Sequence, residues 1–129
     1  MRHCYLIPVY NEEENLRLLY ERLILHKYAE KNFYLFVDDC SSDGSVELLS
    51  TLFNAEDFGV ITKKSNGGPG DSFNLGFNYL IDKFKTEENV QVITMEADNT
   101  SDLSILKDMV TISDLGYDLV LASIYAQGG

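Results

Sequence analysis

Phe33-Tyr34-Leu35-Phe36-Val37-Asp38-Asp39 is an unbroken apolar run closed by two carboxylates. Val90-Gln91-Val92-Ile93-Thr94-Met95-Glu96-Ala97-Asp98 repeats the arrangement further along the chain. Continuous apolar runs of this length read as strands buried on both faces, as in the middle of a parallel sheet. Two such strands ending in acids put several carboxylates at one sheet edge. That edge is where open α/β folds bind ligands. Carboxylates gathered there repel one another or hold a cation, and a cation in turn attracts a polyphosphate.

Working outward, five short apolar runs alternate with four helical patterns. Strands are expected at residues 4–9, 33–37, 59–62, 90–95 and 117–123. Leu16, Leu19 and Leu23 share one helical face. Asn11 followed by Glu14 has the form of a capping box, with Glu12 to Glu14 at the positive helix end and His26 and Lys27 at the negative end. Ser41-Ser42-Asp43-Gly44 is a turn leading to a second helix through Val46, Leu49 and Leu52. A third helix follows the glycine loop through Phe73, Phe77, Leu80 and Phe84. A fourth runs over 103–115, capped by Ser101 or Asp102. Alternation of this kind predicts βαβ units, hence an α/β fold with a mainly parallel sheet and helices on both faces.

Composition narrows the function classes. The 129 residues suffice for one domain with a real core, and the formal charge of −11 leaves no basic stripe for a nucleic-acid backbone or an anionic lipid surface. Cys4 and Cys40 lack zinc-site spacing and read as reduced thiols. No apolar stretch approaches the ~20 residues of a membrane span, and the N-terminus leads directly into a strand. A cytoplasmic location is expected, at the cytoplasmic membrane face for a longer form.

Four constellations could carry chemistry. In Pro8-Val9-Tyr10-Asn11-Glu12, Asn11 can cap a helix, while a tyrosine and a carboxylate at a strand end can stack on a base and accept from ribose hydroxyls. Of Asp38 and Asp39, one can face a base or a metal while the other ties down the following turn, because adjacent strand residues point opposite ways. Asn66-Gly67-Gly68-Pro69-Gly70 permits close backbone approach to an anion. It lacks both the dinucleotide fingerprint and the Walker lysine, so by composition alone it is an ordinary turn. Glu96 and Asp98, flanking the small Ala97, can point to one side and share a Mg²⁺ or Mn²⁺ ion completed by phosphate oxygens.

In order and spacing these segments resemble the family 2 glycosyltransferases of the GT-A fold, closest to the polyprenol-phosphate (dolichol-phosphate) mannosyl- and glucosyltransferase branch. The match is carried by residues 6–15, 37–45, 68–72, 95–98 and the closing Ala122-Ser123-Ile124-Tyr125-Ala126-Gln127-Gly128-Gly129. The resemblance implies a nucleotide-sugar-binding domain over residues 1–129. Pro8, Tyr10, Asn11, Glu12, Asp38, Asp39, Lys63, Gly68 and Ala97 would line the donor pocket, with Glu96 and Asp98 as metal ligands. It implies sugar transfer, with inversion, from a GDP- or UDP-sugar to a lipid phosphate or glycan. The departures are Glu96 for aspartate, Lys63 and Ile124 for arginines, and Asn66 for a basic residue. The expected domain ends before the acceptor side, so a noncatalytic nucleotide-binding or interaction domain is the alternative. A phosphoacceptor receiver domain fits less well, since its acidic pair follows the first strand. An exposed fifth strand would favour a homodimer through edge pairing.

Overall fold

The computed structural model describes residues 1–27 and 29–123. Four strands, β1 (Arg2–Val9), β2 (Lys31–Asp38), β3 (Phe58–Thr62) and β4 (Val90–Thr94), form one sheet in the order β3-β2-β1-β4. Every pairing is parallel, with Val9 level with Asp38, Asp38 with Thr62, and Leu6 with Thr94. The helices are α1 (Leu16–Leu25), α2 (Ser45–Leu52), α3 (Pro69–Lys83) and α4 (Leu106–Asp114), the last preceded by a single 3-10 turn at Leu103–Ile105.

Strict alternation along the two central strands divides the core. Tyr5, Ile7, Val9, Tyr34 and Phe36 face the side covered by α1, α2 and α4. Cys4, Leu6, Phe33, Leu35 and Val37 face α3. Aromatic packing takes the place of the missing tryptophan: Phe53 lies 4.8 Å from Phe36 and 4.9 Å from Tyr20, and Tyr5 stacks on Tyr34 at 5.0 Å. Burying each such ring contributes about 1.5–3 kcal/mol.

The winding locates the functional end. The chain runs outward from β1 to β2 to β3, then crosses back beneath the sheet through α3 to place β4 on the other side of β1. Strand order therefore reverses between β1 and β4, and a crevice opens at their carboxyl ends. At the opposite rim Arg2 closes the sheet. Its guanidinium forms a fork with Glu87 (2.8 and 3.1 Å), lies 3.7 Å from Asp57 and covers the Phe84 ring at 4.4 Å.

Several expectations are corrected by the structure. β1 begins at Arg2 rather than at Cys4. Asn11 does not cap α1: the helix starts at Leu16 with Asn15 at its N-cap position, and the acids at 12–14 precede it. Asn11 instead adopts a left-handed φ of 51° and bonds to the turn that follows β2. The buried stripe of α3 is Ser72, Gly76 and Leu80, while Phe77 is 39% exposed. Two small residues on that stripe let the helix lie close to Leu6, which a phenylalanine there would prevent. Residues 117–123 form no strand. Gly116 to Leu121 stand across a groove from β4 with Leu119 and Leu121 exposed, so the apolar run has no ladder to join. The sheet edges among the described residues are β3 and β4, so the premise of edge pairing through a fifth strand is absent there. Ile124 and the rest of the closing segment lie outside the described residues. The acidic cap of the fourth helical segment is Asp102, which accepts from the amide and hydroxyl of Ser104.

Candidate functional site

The turn after β1 is shaped by the turn after β2. Asn11 donates its backbone N–H to Ser41 Oγ (2.9 Å), and its side-chain oxygen accepts from the amides of Ser42 (2.8 Å) and Asp43 (3.3 Å). The Glu12 amide donates to Ser45 Oγ, and the Gly44 amide donates to the Glu13 carboxylate. A Cβ at Gly44 would lie 2.5 Å from that carboxylate, so the exposed Glu13 side chain would have to shift to make room for one. These bonds fix the 10–14 backbone and leave Tyr10 half exposed at the crevice.

The two aspartates divide their work as strand geometry predicts. Asp38, fully buried, accepts from the Ser41 amide (3.1 Å) and hydroxyl (2.5 Å) and so ties down the turn that follows β2. Asp39 turns toward the glycine loop. Its two oxygens accept from the amides of Gly67 (2.8 Å) and Gly68 (2.9 Å), and Lys63 Nζ lies 2.6 Å away. The Lys63 ammonium, then the Gly67 amide, hold the Asp39 carboxyl below the usual carboxylate range, against the opposing effect of burial.

Beyond β4, Glu96 is exposed, Ala97 is buried and Asp98 is half-buried. Thr100 Oγ1 donates to Asp98 (2.6 Å) and lies 3.4 Å from Glu96, so both carboxylates point at one hydroxyl. That hydroxyl is the main cause of a lowered Asp98 pKa. Asn99, at φ 63°, bonds back to α1 through the Asn15 carbonyl (3.0 Å), and Arg22 reaches both Asn99 and the Ser101 carbonyl. The carboxylate segment is thereby anchored to the first helix.

These segments enclose a cavity of about 390 Å³ at the β1/β4 reversal. Of the residues expected to form the site, Pro8, Tyr10, Glu12, Asp39, Gly68, Glu96, Ala97 and Asp98 line it. Asn11, Asp38 and Lys63 do not: Asp38 and Lys63 are buried behind the lining, and Asn11 is exposed where it joins the two turns. Asn66, Pro69, Ser72 and Phe73 complete the wall. Ser72 falls in the 68–72 segment that carries the resemblance without a role of its own, and Phe73 reads as a mere helix position in the sequence.

The acids suit a shared ion only in part. Glu96 and Asp98 converge and offer hard oxygen ligands of the kind Mg²⁺ or Mn²⁺ takes. Asp39 is committed to the loop, and among the described residues no three His, Cys, Asp or Glu side chains come together as a self-sufficient metal cage. Two carboxylates completed by ligand phosphates remain a chemically reasonable donor set. No helix among the described residues is long and apolar enough to cross a membrane.

Known proteins match this arrangement. The chain is 37% identical over 118 residues to an undecaprenyl-phosphate 4-deoxy-4-formamido-L-arabinose transferase of Proteus mirabilis, covering 88% of this chain and 34% of that protein. It is 31% identical over 130 residues to the polyprenol monophosphomannose synthase of Mycolicibacterium smegmatis, covering 99% of this chain and 47% of that one. The chain thus spans about a third to a half of the curated relatives it matches. Among solved structures, S. aureus TarS 1-349 in complex with UDP superposes with a TM-score of 0.71 at 23% identity, over 89% of this chain and 32% of that one, which establishes the GT-A fold. The family model described as glycosyl transferase family 2 aligns with residues 4–129, and it is to this family that the chain belongs.

Proposed function

We propose that residues 1–129 form the donor-binding part of an inverting glycosyltransferase that takes a sugar from a GDP- or UDP-sugar. The acceptor we assign is a lipid phosphate of the polyprenol type, with a glycan as the other candidate. The observation that carries this reading is the single cavity joining the Pro8–Glu12 turn, Asp39, the glycine loop and Glu96-Ala97-Asp98. The lipid-phosphate acceptor draws on what the Proteus mirabilis and Mycolicibacterium smegmatis relatives are named for.

In this reading Tyr10 and Pro8 offer flat surfaces to the base, and Glu12 accepts from ribose hydroxyls. Glu96 and Asp98 would hold Mg²⁺ or Mn²⁺, which offsets the charge of the departing diphosphate. Thr100 keeps the two carboxylates aimed together until they are needed. Calorimetry with GDP, UDP and their sugars, with and without Mn²⁺, tests the reading. Binding of at least one nucleotide that requires the metal and disappears in Asp98→Asn is expected; no metal-dependent binding to any of them refutes it.

A second reading, a noncatalytic nucleotide-binding module, draws on the neutralisation of Lys63 by Asp39 and Asp71, beside a cavity lined by four carboxylates. Transfer of labelled sugar to polyprenol phosphate in the presence of the metal rules this second reading out.

A further inference from the structure

Lys63 is buried, at 9% exposure, yet its ammonium contacts almost nothing but the glycine loop and what holds that loop. Nζ lies 2.6 Å from Asp39 and 2.8 Å from Asp71, with Ser72 Oγ at 3.3 Å and the Gly68 carbonyl at 3.5 Å. Asp39, the partner in the shorter pair, accepts the amides of Gly67 and Gly68. One cation therefore grips the loop from three sides: through Asp39 to its amides, directly at a carbonyl, and through Asp71 and Ser72 to the first turn of α3. A Cβ on Gly67 would lie 2.8 Å from the Asp71 carboxylate and 3.0 Å from Nζ, and Gly68 holds a φ of +85°. Lys63 itself is pinned by its own amide, which donates to the Asp38 carbonyl at 2.9 Å.

We propose that Lys63 is a positioning residue, clamping residues 67–72 so that the cavity wall made by Gly68, Pro69 and Ser72 stands ready before a nucleotide arrives. The inference rests on the nucleotide-binding reading above. It departs from the role the family resemblance implies for Lys63, direct contact with the donor. Direct contact requires the ammonium to leave two carboxylates and come through the wall it supports. As a clamp it acts at a distance, by preventing the loop from sampling conformations that binding would otherwise have to select against.

The test uses the whole 129-residue chain. Amide hydrogen exchange at Gly67 and Gly68, and calorimetry with GDP and with UDP in Mn²⁺, are compared in wild type and four variants. These are Lys63→Met, Lys63→Arg, Asp39→Asn and the double variant Lys63→Met/Asp39→Asn, which leaves no stranded buried carboxylate if the single methionine variant fails to fold and is read against Asp39→Asn, since asparagine alone gives up one of the two oxygens that accept the glycine amides. Exchange of both glycine amides is expected to quicken about tenfold in the two methionine variants, the factor one charge-assisted hydrogen bond carries. Nucleotide affinity is expected to fall by a similar factor. Lys63→Arg, which can span both carboxylates, is expected to restore amide protection and affinity together. Unchanged protection in the foldable methionine variants overturns the clamp. So does Lys63→Arg that protects the amides yet binds nucleotide as weakly as methionine, because that pattern identifies the ammonium as a direct ligand. Wild-type protein that protects both amides but binds neither nucleotide overturns the functional reading and leaves the clamp itself intact.

Discussion

Replacing Gly76 with alanine adds one methyl group at the tightest contact between α3 and the sheet. An ideal Cβ there would lie 2.1 and 2.9 Å from the two methyl carbons of Leu6 and 3.1 Å from its Cγ. Leu6 is fully buried between β2 and β4, so it cannot swing clear into solvent. Overpacking of this kind costs about 1–3 kcal/mol, and so severe an overlap belongs at the upper end. Alanine returns about 1 kcal/mol through its better helix propensity. The expected net loss is therefore about 2 kcal/mol, read as a lower urea midpoint at unchanged slope by far-ultraviolet circular dichroism. Leu6→Ala alone should cost about 2–5 kcal/mol by opening a cavity. In the double variant the new methyl group fills part of that space, so the combined loss should fall short of the sum by about 1 kcal/mol or more. Because the first turn of α3 supplies Pro69, Ser72 and Phe73 to the cavity, Gly76→Ala should also weaken nucleotide binding. Gly76→Ala as stable as wild type, or strictly additive effects, would refute the packing argument.

Other outcomes follow from the same geometry. Asn11→Ala loses the acceptor for two amides of the 41–44 turn and keeps an alanine at φ 51°, so it should destabilise by about 2–4 kcal/mol in the same urea assay, while Asn11→Asp should retain most of the stability. Cys40 is exposed, whereas Cys4 is buried and burial pushes its thiol up to about 12. A maleimide at pH 7.5 should therefore label one thiol per folded chain and two after unfolding, counted by mass spectrometry. The Asp39 and Asp98 carboxyls are held low by Lys63 and by Thr100 respectively. The stability they contribute is present above the unfolded carboxyl value near 3.8 and is lost as pH falls through their lower folded values. Asp39→Asn should accordingly lower stability at pH 7 and flatten the decline seen on acidification below pH 5 in thermal melts.

Where a signal was local, the sequence carried it. The apolar run at 33–37 and its closing acids announced a central strand and its rim, and the prohibition on adjacent side chains sharing a face anticipated the split between Asp38 and Asp39. Relationships that span the fold were hidden. Asn11 has a helix cap's spacing to Glu14, yet its partners are the amides of Ser42 and Asp43, which only the adjacency of two parallel strand ends brings near. Lys63, Asp39 and Asp71 lie on three separate segments and share no periodicity. The run at 117–123 has strand composition, but pairing is a property of a neighbour and not of the run. Gly76 was invisible for the complementary reason: a missing side chain leaves no mark in a hydrophobic pattern.

The Arg2 rim has a practical corollary. All four strands point one way, so the guanidinium fork to Glu87 sits at the far end of an eight-residue strand, ~23 Å from the crevice at about 3.3 Å per residue. Fluorophores, affinity handles or immobilisation chemistry installed around Asp57 or Lys31 would leave the crevice facing free solution. Binding could then be watched on a surface without the attachment itself competing for the ligand.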